Sequence, residues 1–175
     1  MKRSLVLLPL ALAACVPAGR PPAPPPPAPA PRIAAPAPLP PPPALGPDWR
    51  DWPLTPGTWR YARDARGSAA LFGQAGGKAL VTLRCDLGER RVHLSVAESD
   101  AAQATLRTTS TTRALPLRPM GGQPPQAAAA LAPADPLLDA LAFSRGRFTL
   151  ERPGRAPLVL PAHAEVGRVT EDCRR

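Results

Sequence analysis

Residues 79–97 read ALVTLRCDLGERRVHLSVA. In the first half, Ala79, Val81, Leu83 and Cys85 occupy every second position, and in the second half Val92, Leu94 and Val96 do the same. Successive side chains of a strand point to opposite faces, so each run gathers its apolar residues on one face. Thr82, Arg84, His93 and Ser95 then point the other way. The segment DLGER between the runs carries turn residues, and the whole stretch predicts an antiparallel hairpin. The same period extends outward along the chain. In TWRYAR, Trp59 and Tyr61 share a face, and SAALFG is a short second strand candidate, with DARG and QAGGK as the intervening turns. ATLRTTSTT is β-branched and polar, which suits a strand with one wet face. RALPLRP continues it, and its prolines place it at a sheet edge, because proline cannot donate to a ladder. MGGQPPQ is a loop.

Beyond this loop the period changes. DPLLDALAFS begins with Asp135 as N-cap and Pro136 at the first helical position, and Leu137, Leu138 and Leu141 line one side of a short helix. RFTLER turns Phe148 and Leu150 inward, and APLVLP is the strand that pairs with it. After Pro161, Val166, Val169 and Cys173 stand at i, i+3 and i+7, one stripe of a last helix. The expected fold is therefore α+β: a mostly antiparallel sheet, curled or sandwich-like, with one short internal helix and a C-terminal helix. Residues 48–175 have the length for one small core and not for two ordinary domains.

Two segments precede this domain. Sixteen of residues 16–47 are proline and half of the others are alanine. Proline fixes φ and removes the amide donor, so this stretch forms neither helix nor sheet. It reads as a disordered, extended polyproline II spacer, reaching on the order of 100 Å at about 3.1 Å per residue. Residues 1–14 have the layout of a secretory signal peptide: Lys2 and Arg3, then a short apolar core from Ser4 to Leu12, then small residues. The apolar core is too short to span a bilayer as a helix, which needs about 20 apolar residues. Leu12-Ala13-Ala14-Cys15 resembles the lipobox of bacterial lipoproteins. That resemblance implies cleavage before Cys15, acylation of its thiol and new amino terminus, and anchorage in a membrane. The alternative is a plain signal peptide cut after Ala13 or Ala18. Residue 16 is Val rather than Asp, which by the sorting rule of enteric lipoproteins implies the outer membrane, with the domain facing the periplasm.

The chain has three cysteines, an odd count for an exported protein. With Cys15 lipidated, Cys85 and Cys173 remain, both on apolar faces, and an oxidising compartment favours a disulfide between them. Two separate buried thiols are the alternative.

The formal charge is +9, carried by 20 Arg and only 2 Lys amid abundant Ala and Pro. This is the bias of a GC-rich genome, and with export it argues against a nucleic-acid partner. No metal, cofactor or catalytic motif is expected. His93 and His163 stand about seventy positions apart without a ligand spacing. Ser144 lacks a G-x-S-x-G frame. Trp49, Trp52 and Trp59 crowd the start of the domain, and they suit the bottom of the core better than a sugar-stacking platform. One surface has candidate chemistry. Alternation turns Arg60, Arg84, Arg91, Arg107 and Arg147 outward, together with Thr82, Thr105, Thr109, Thr111 and Thr149. Guanidinium forks and hydroxyls suit a phosphate or carboxylate, so part of this face is a candidate to meet an anionic envelope partner or peptidoglycan; the alternative is the plain solvated side of a sheet in an Arg-rich protein.

The stretch from LAPADPLLDALAFSRGRF (residues 131–148) to EVGRVTEDCRR (residues 165–175) resembles a type of uncharacterised alphaproteobacterial exported protein. Its helix, two strands and cysteine-bearing final helix are similar in layout to the invasion-associated locus B family of periplasmic proteins. The resemblance implies an exported domain and assigns no functional residue. Membrane-anchored lysozyme inhibitors are also small disulfide-bonded β lipoproteins, but their Ser-Gly loop before an aromatic is absent here. Two functions are thus expected: a non-enzymatic envelope lipoprotein that binds a partner or wall component, or an inhibitor of a periplasmic or host hydrolase.

Overall fold

The structure, a computed structural model, describes residues 45–98, 100, 103–121 and 124–175. The expected leader, Cys15 and the linker through residue 44 lie outside the described residues. The 79–97 stretch forms strands β3 (Val81–Asp86) and β4 (Arg91–Val96), paired antiparallel with Leu83 opposite Leu94 and Cys85 opposite Val92. Asp86 shapes the turn between them: its carboxylate accepts from the backbone N–H groups of Gly88 and Glu89, each at 3.0 Å. On the far side of β3 lie β2 (Gly67–Gly73) and then β1 (Thr58–Asp64). Gly67 opens β2 at a φ of 141°, and a Cβ there would meet the Cys85 carbonyl oxygen at 2.4 Å. Only glycine supplies both the backbone angle and the clearance.

The polar segment after β4 departs from the expected single strand. β5 (Gln103–Arg107) stops at Thr108, and the chain reverses into β6 (Thr112–Pro116), which pairs antiparallel with β5. The buried Thr108 hydroxyl causes the reversal. It accepts from the N–H groups of Ser110 and Thr111 and donates to the Thr111 carbonyl at 3.2 Å, offering the backbone a turn in place of a ladder. The chain then returns to the sheet of β1–β4 as β7 (Arg118–Met120). Pro116 and Pro119 both sit on edge strands, as the missing amide requires.

An unexpected strand follows. β8 (Gln126–Leu131) is largely alanine, yet it lies between β4 and β7. Ala127, Ala129 and Leu131 face the core. Helix α1 (Pro136–Ala142) starts as expected, with the Asp135 carboxylate accepting from Leu137 N–H at 2.9 Å and gripping both terminal nitrogens of Arg113 at 2.8 Å. Strands β9 (Arg147–Glu151) and β10 (Leu158–Pro161) pair antiparallel, and helix α2 (Ala164–Arg174) closes the domain.

The result is two antiparallel sheets, one ordered β1-β2-β3-β4-β8-β7 and one ordered β10-β9-β5-β6. Their inner faces share one core, in which Phe72, Leu83 and Leu94 of the first sheet are clustered with Leu106, Phe148 and Leu150 of the second. Trp59 joins them, with its ring 5.3 Å from Phe72 and 6.4 Å from Phe148 and its indole N–H donating to the Pro161 carbonyl at 2.8 Å. Where the second sheet does not reach, α2 covers β2 and β3 and packs on α1. It buries Val166, Val169 and Cys173, the expected stripe. Cys85 and Cys173 form a disulfide, with their Cα atoms 5.4 Å apart.

Candidate functional site

The five arginines expected to share one outward face do not. Arg60, Arg84 and Arg91 belong to the six-stranded sheet, whereas Arg107 and Arg147 belong to the four-stranded sheet. Alternation determines on which side of its own sheet a residue stands, but not which sheet that is. Two of the five are also engaged by acids: Arg84 by Asp64, and Arg107 by Glu151 at 3.1 Å. Thr149, expected outward, is fully buried. Its hydroxyl donates to Glu151 at 2.9 Å. The segment before β1 runs along the edge strand β10, with Thr55 N–H donating to the Val159 carbonyl and Val159 N–H to the Thr55 hydroxyl, both at 2.9 Å.

The tryptophans separate in the same way. Trp59 is core, Trp49 is buried in the 3-10 turn Trp49–Asp51, and Trp52 is half-buried with its N–H on the Gly46 carbonyl at 2.7 Å. They form no common platform. His93 points outward from β4, as expected, with Nε2 2.9 Å from the Glu89 carboxylate. His163 precedes α2 and makes no side-chain cap bond. Among the described residues no three His, Cys, Asp or Glu side chains are grouped so as to hold a metal. Ser144 is no exposed nucleophile: it is buried, and its hydroxyl donates to the Arg147 carbonyl.

That hydroxyl builds the most distinctive surface of the domain. The Ser144 oxygen also accepts from Thr109 N–H at 3.2 Å, and Arg145 N–H donates to the Thr109 hydroxyl at 3.2 Å. These bonds staple the β5–β6 turn to the loop between α1 and β9. Gly146, at a φ of 77°, gives that loop the sharp turn into β9. The stapled loops and α1 enclose an open cleft of 850 Å³, lined by Arg50, Arg145, Arg147, Thr109, Ser110 and Phe143, with Pro136, Asp139 and Ala140.

The charge in this cleft is one-sided. Asp139 is its acid, but both Asp139 oxygens are held by Arg174, at 2.8 and 3.0 Å. Arg147 donates to the Trp52 carbonyl and forms no ion pair, and Arg145 has no ion-pair partner among the described residues. Arg50 lies 5.1 Å over the Trp49 ring, and its ion-pair contact is an exposed one with Asp48 at 3.4 Å. Such an exposed pair contributes little and breaks readily. Phe143 stands at the rim, 78% exposed, the most exposed of the large apolar side chains among the described residues. Of the five arginines singled out by alternation, only Arg147 reaches this cleft. Arg50 and Arg145 sit in a 3-10 turn and a loop, where no period marks them.

A second surface, the outer face of the six-stranded sheet, forms smaller hollows around His93, Met120 and the small side chains of β2, β4 and β8. There Arg84 and His93 are already matched by Asp64 and Glu89. A third cluster lies beside the disulfide. Tyr61 and Arg63 both donate to Asp172, and Arg168 stacks 4.0 Å from the Tyr61 ring centre. Burial pushes the Asp172 carboxyl up, but the hydrogen bonds outweigh it and hold the group below the usual aspartate range. This network ties the end of α2 to β1.

No helix among the described residues is long and apolar enough to cross a membrane. Comparison of the chain with protein-family models, with curated proteins and with solved structures yields no match. Fold and surface therefore define it as a disulfide-stapled α+β domain with an arginine-lined cleft.

Proposed function

We propose that this protein is a non-enzymatic lipoprotein of the cell envelope, anchored through Cys15 and facing the periplasm from the outer membrane, whose domain binds an anionic envelope or wall partner from the end of a stiff proline spacer. One observation carries the anchor: the Cys85–Cys173 bond uses every cysteine of the domain. The odd thiol of the chain is then Cys15, which directly follows a charged start, an apolar core and small residues. Each acyl methylene buried in a bilayer contributes about 0.8 kcal/mol, and one chain holds only marginally, so multiple acylation gives stable anchorage. The spacer sets the reach of the domain, on the order of 100 Å from the bilayer surface.

The test is metabolic labelling with palmitate followed by membrane fractionation. The wild type is expected to take up label and sediment with outer membranes. Cys15→Ser is expected to lose the label and either to become soluble or to persist as an uncut precursor. A Cys15→Ser protein that remains on membranes at mature size overturns the anchor. A pull-down from envelope extract that returns a stoichiometric hydrolase replaces the binding role with that of an inhibitor.

A further inference from the structure

We infer that the cleft between the β5–β6 turn, α1 and β9 is a binding site for a carboxylate-bearing glycopeptide, the chemistry of acidic wall fragments. The inference deepens the proposed binding role and rests on that reading for its choice of polymer. Three features of the cleft select this ligand. Arg145 and Arg147 offer planar donor forks without acidic partners, the arrangement that recognises a carboxylate in a bidentate manner. Thr109 and Ser110 line the same cleft with hydroxyls, suited to the amide and hydroxyl groups of a sugar–peptide chain. Phe143 holds an exposed ring at the rim, a flat surface for the apolar face of a pyranose.

The site is also rigid. Ser144 and Thr109 lock the two loops together through backbone donors, and Arg147 is fixed from behind by the Trp52 carbonyl. Little ordering is left for binding to impose, and such preorganisation favours affinity. The carboxylate of Asp139, which would repel an anion, is held by Arg174 on the other side of the helix turn. The hollows on the outer face of the large sheet lack this combination: Arg84 faces Asp64 and Arg66 faces Asp86, which leaves Arg118 as a single guanidinium without an ion-pair partner among the described residues.

The test uses the full chain in detergent micelles and soluble wall glycopeptides with free stem carboxylates. The same fragments with those carboxylates amidated form one comparison, and glycerol phosphate, the water-soluble headgroup chemistry of an anionic lipid, forms the other. Wild type is expected to bind the free-acid fragments, more weakly at 1 M than at 0.1 M salt as the Debye length shrinks from about 10 Å to about 3 Å. Arg145→Glu is expected to weaken binding at least about tenfold, the loss of one charge-assisted hydrogen bond. Phe143→Ser should weaken it about threefold or more, as loss of an aromatic stacking partner does. Both side chains are exposed, so an unchanged melting temperature serves as the folding control. Equal binding by wild type and Arg145→Glu overturns the inference. So do equal binding of free and amidated fragments, tighter binding of glycerol phosphate, and no binding by wild type. Palmitate labelling is independent of all four outcomes, so a failure of the anchor and a failure of the site are told apart.

Discussion

Removing the Cys85–Cys173 bond is the sharpest perturbation of this fold. The bond spans 88 residues and ties the centre of the six-stranded sheet to the last helix. In the chain-entropy description a loop of that length restricts the unfolded ensemble by about 4–5 kcal/mol. A domain of this size has a total stability of about 5–15 kcal/mol, so the loss is about a quarter or more of the whole. Without the bond, α2 keeps its buried Val166 and Val169 and the network of Tyr61, Arg63 and Asp172. The assay is urea unfolding of a Cys15→Ser chain, which leaves only the pair to count, alongside the same chain with Cys85→Ala and Cys173→Ala. With a slope of about 2 kcal/mol per molar urea, the midpoint should fall by about 2 M. An unchanged midpoint would refute the reasoning, as would two thiols titrating in the unreduced, unfolded protein.

Other outcomes follow from single residues. Asp135→Ala removes the cap of α1 and the partner of Arg113, and should cost about 1–2 kcal/mol in denaturant melts. Asp135→Asn keeps an acceptor for Leu137 N–H and should cost less. Phe148→Ala empties a core site shared by both sheets and should cost about 3–5 kcal/mol. Gly67→Ala should destabilise clearly despite its small size, because its Cβ meets the Cys85 carbonyl; an unchanged melting temperature contradicts this. Acid should unfold the domain in a defined direction. The carboxyl of Asp86 is lowered by the N–H of Glu89 and by Arg66, and that of Asp135 by Arg113. Groups with depressed folded values stabilise above the unfolded value of 3.8, and this stabilisation is lost as pH falls through the folded values. Melts from pH 7 to pH 2 should show stability falling below about pH 4, and a flat profile there excludes this linkage.

The parts of the fold that sequence disclosed are those where one physical signal stood alone. Val81, Leu83 and Cys85 alternate without interruption, and Asp135-Pro136 is a start signal independent of what the helix packs on. β8 was hidden because alanine favours neither alternation nor strand. Its place between β4 and β7 comes from small side chains fitting beneath the second sheet, which is a tertiary fact. The break at Thr108 was hidden for the opposite reason, since a threonine suits a strand until its hydroxyl captures two backbone N–H groups. The cleft was the least legible part. Arg50, Thr109 and Arg145 come from three separate segments without a shared period, and the hydrogen bonds of Ser144 bring the latter two together.

The disulfide also has a schedule. Where export keeps pace with synthesis, Cys85 emerges into the oxidising compartment 88 residues before Cys173, an interval of about 4–18 s at about 5–20 residues per second. A β-hairpin forms in about 1–10 μs, so β3 and β4 can pair long before the second sulfur exists. Throughout that interval Cys85 is a lone thiol on the uncovered side of a hairpin, and the one earlier cysteine in the chain is Cys15. Acylation of Cys15 would remove the only intramolecular competitor for Cys85 that exists during the wait. In a strain that cannot acylate it, Cys15–Cys85 cross-linked protein should accumulate as a faster-migrating band on non-reducing gels.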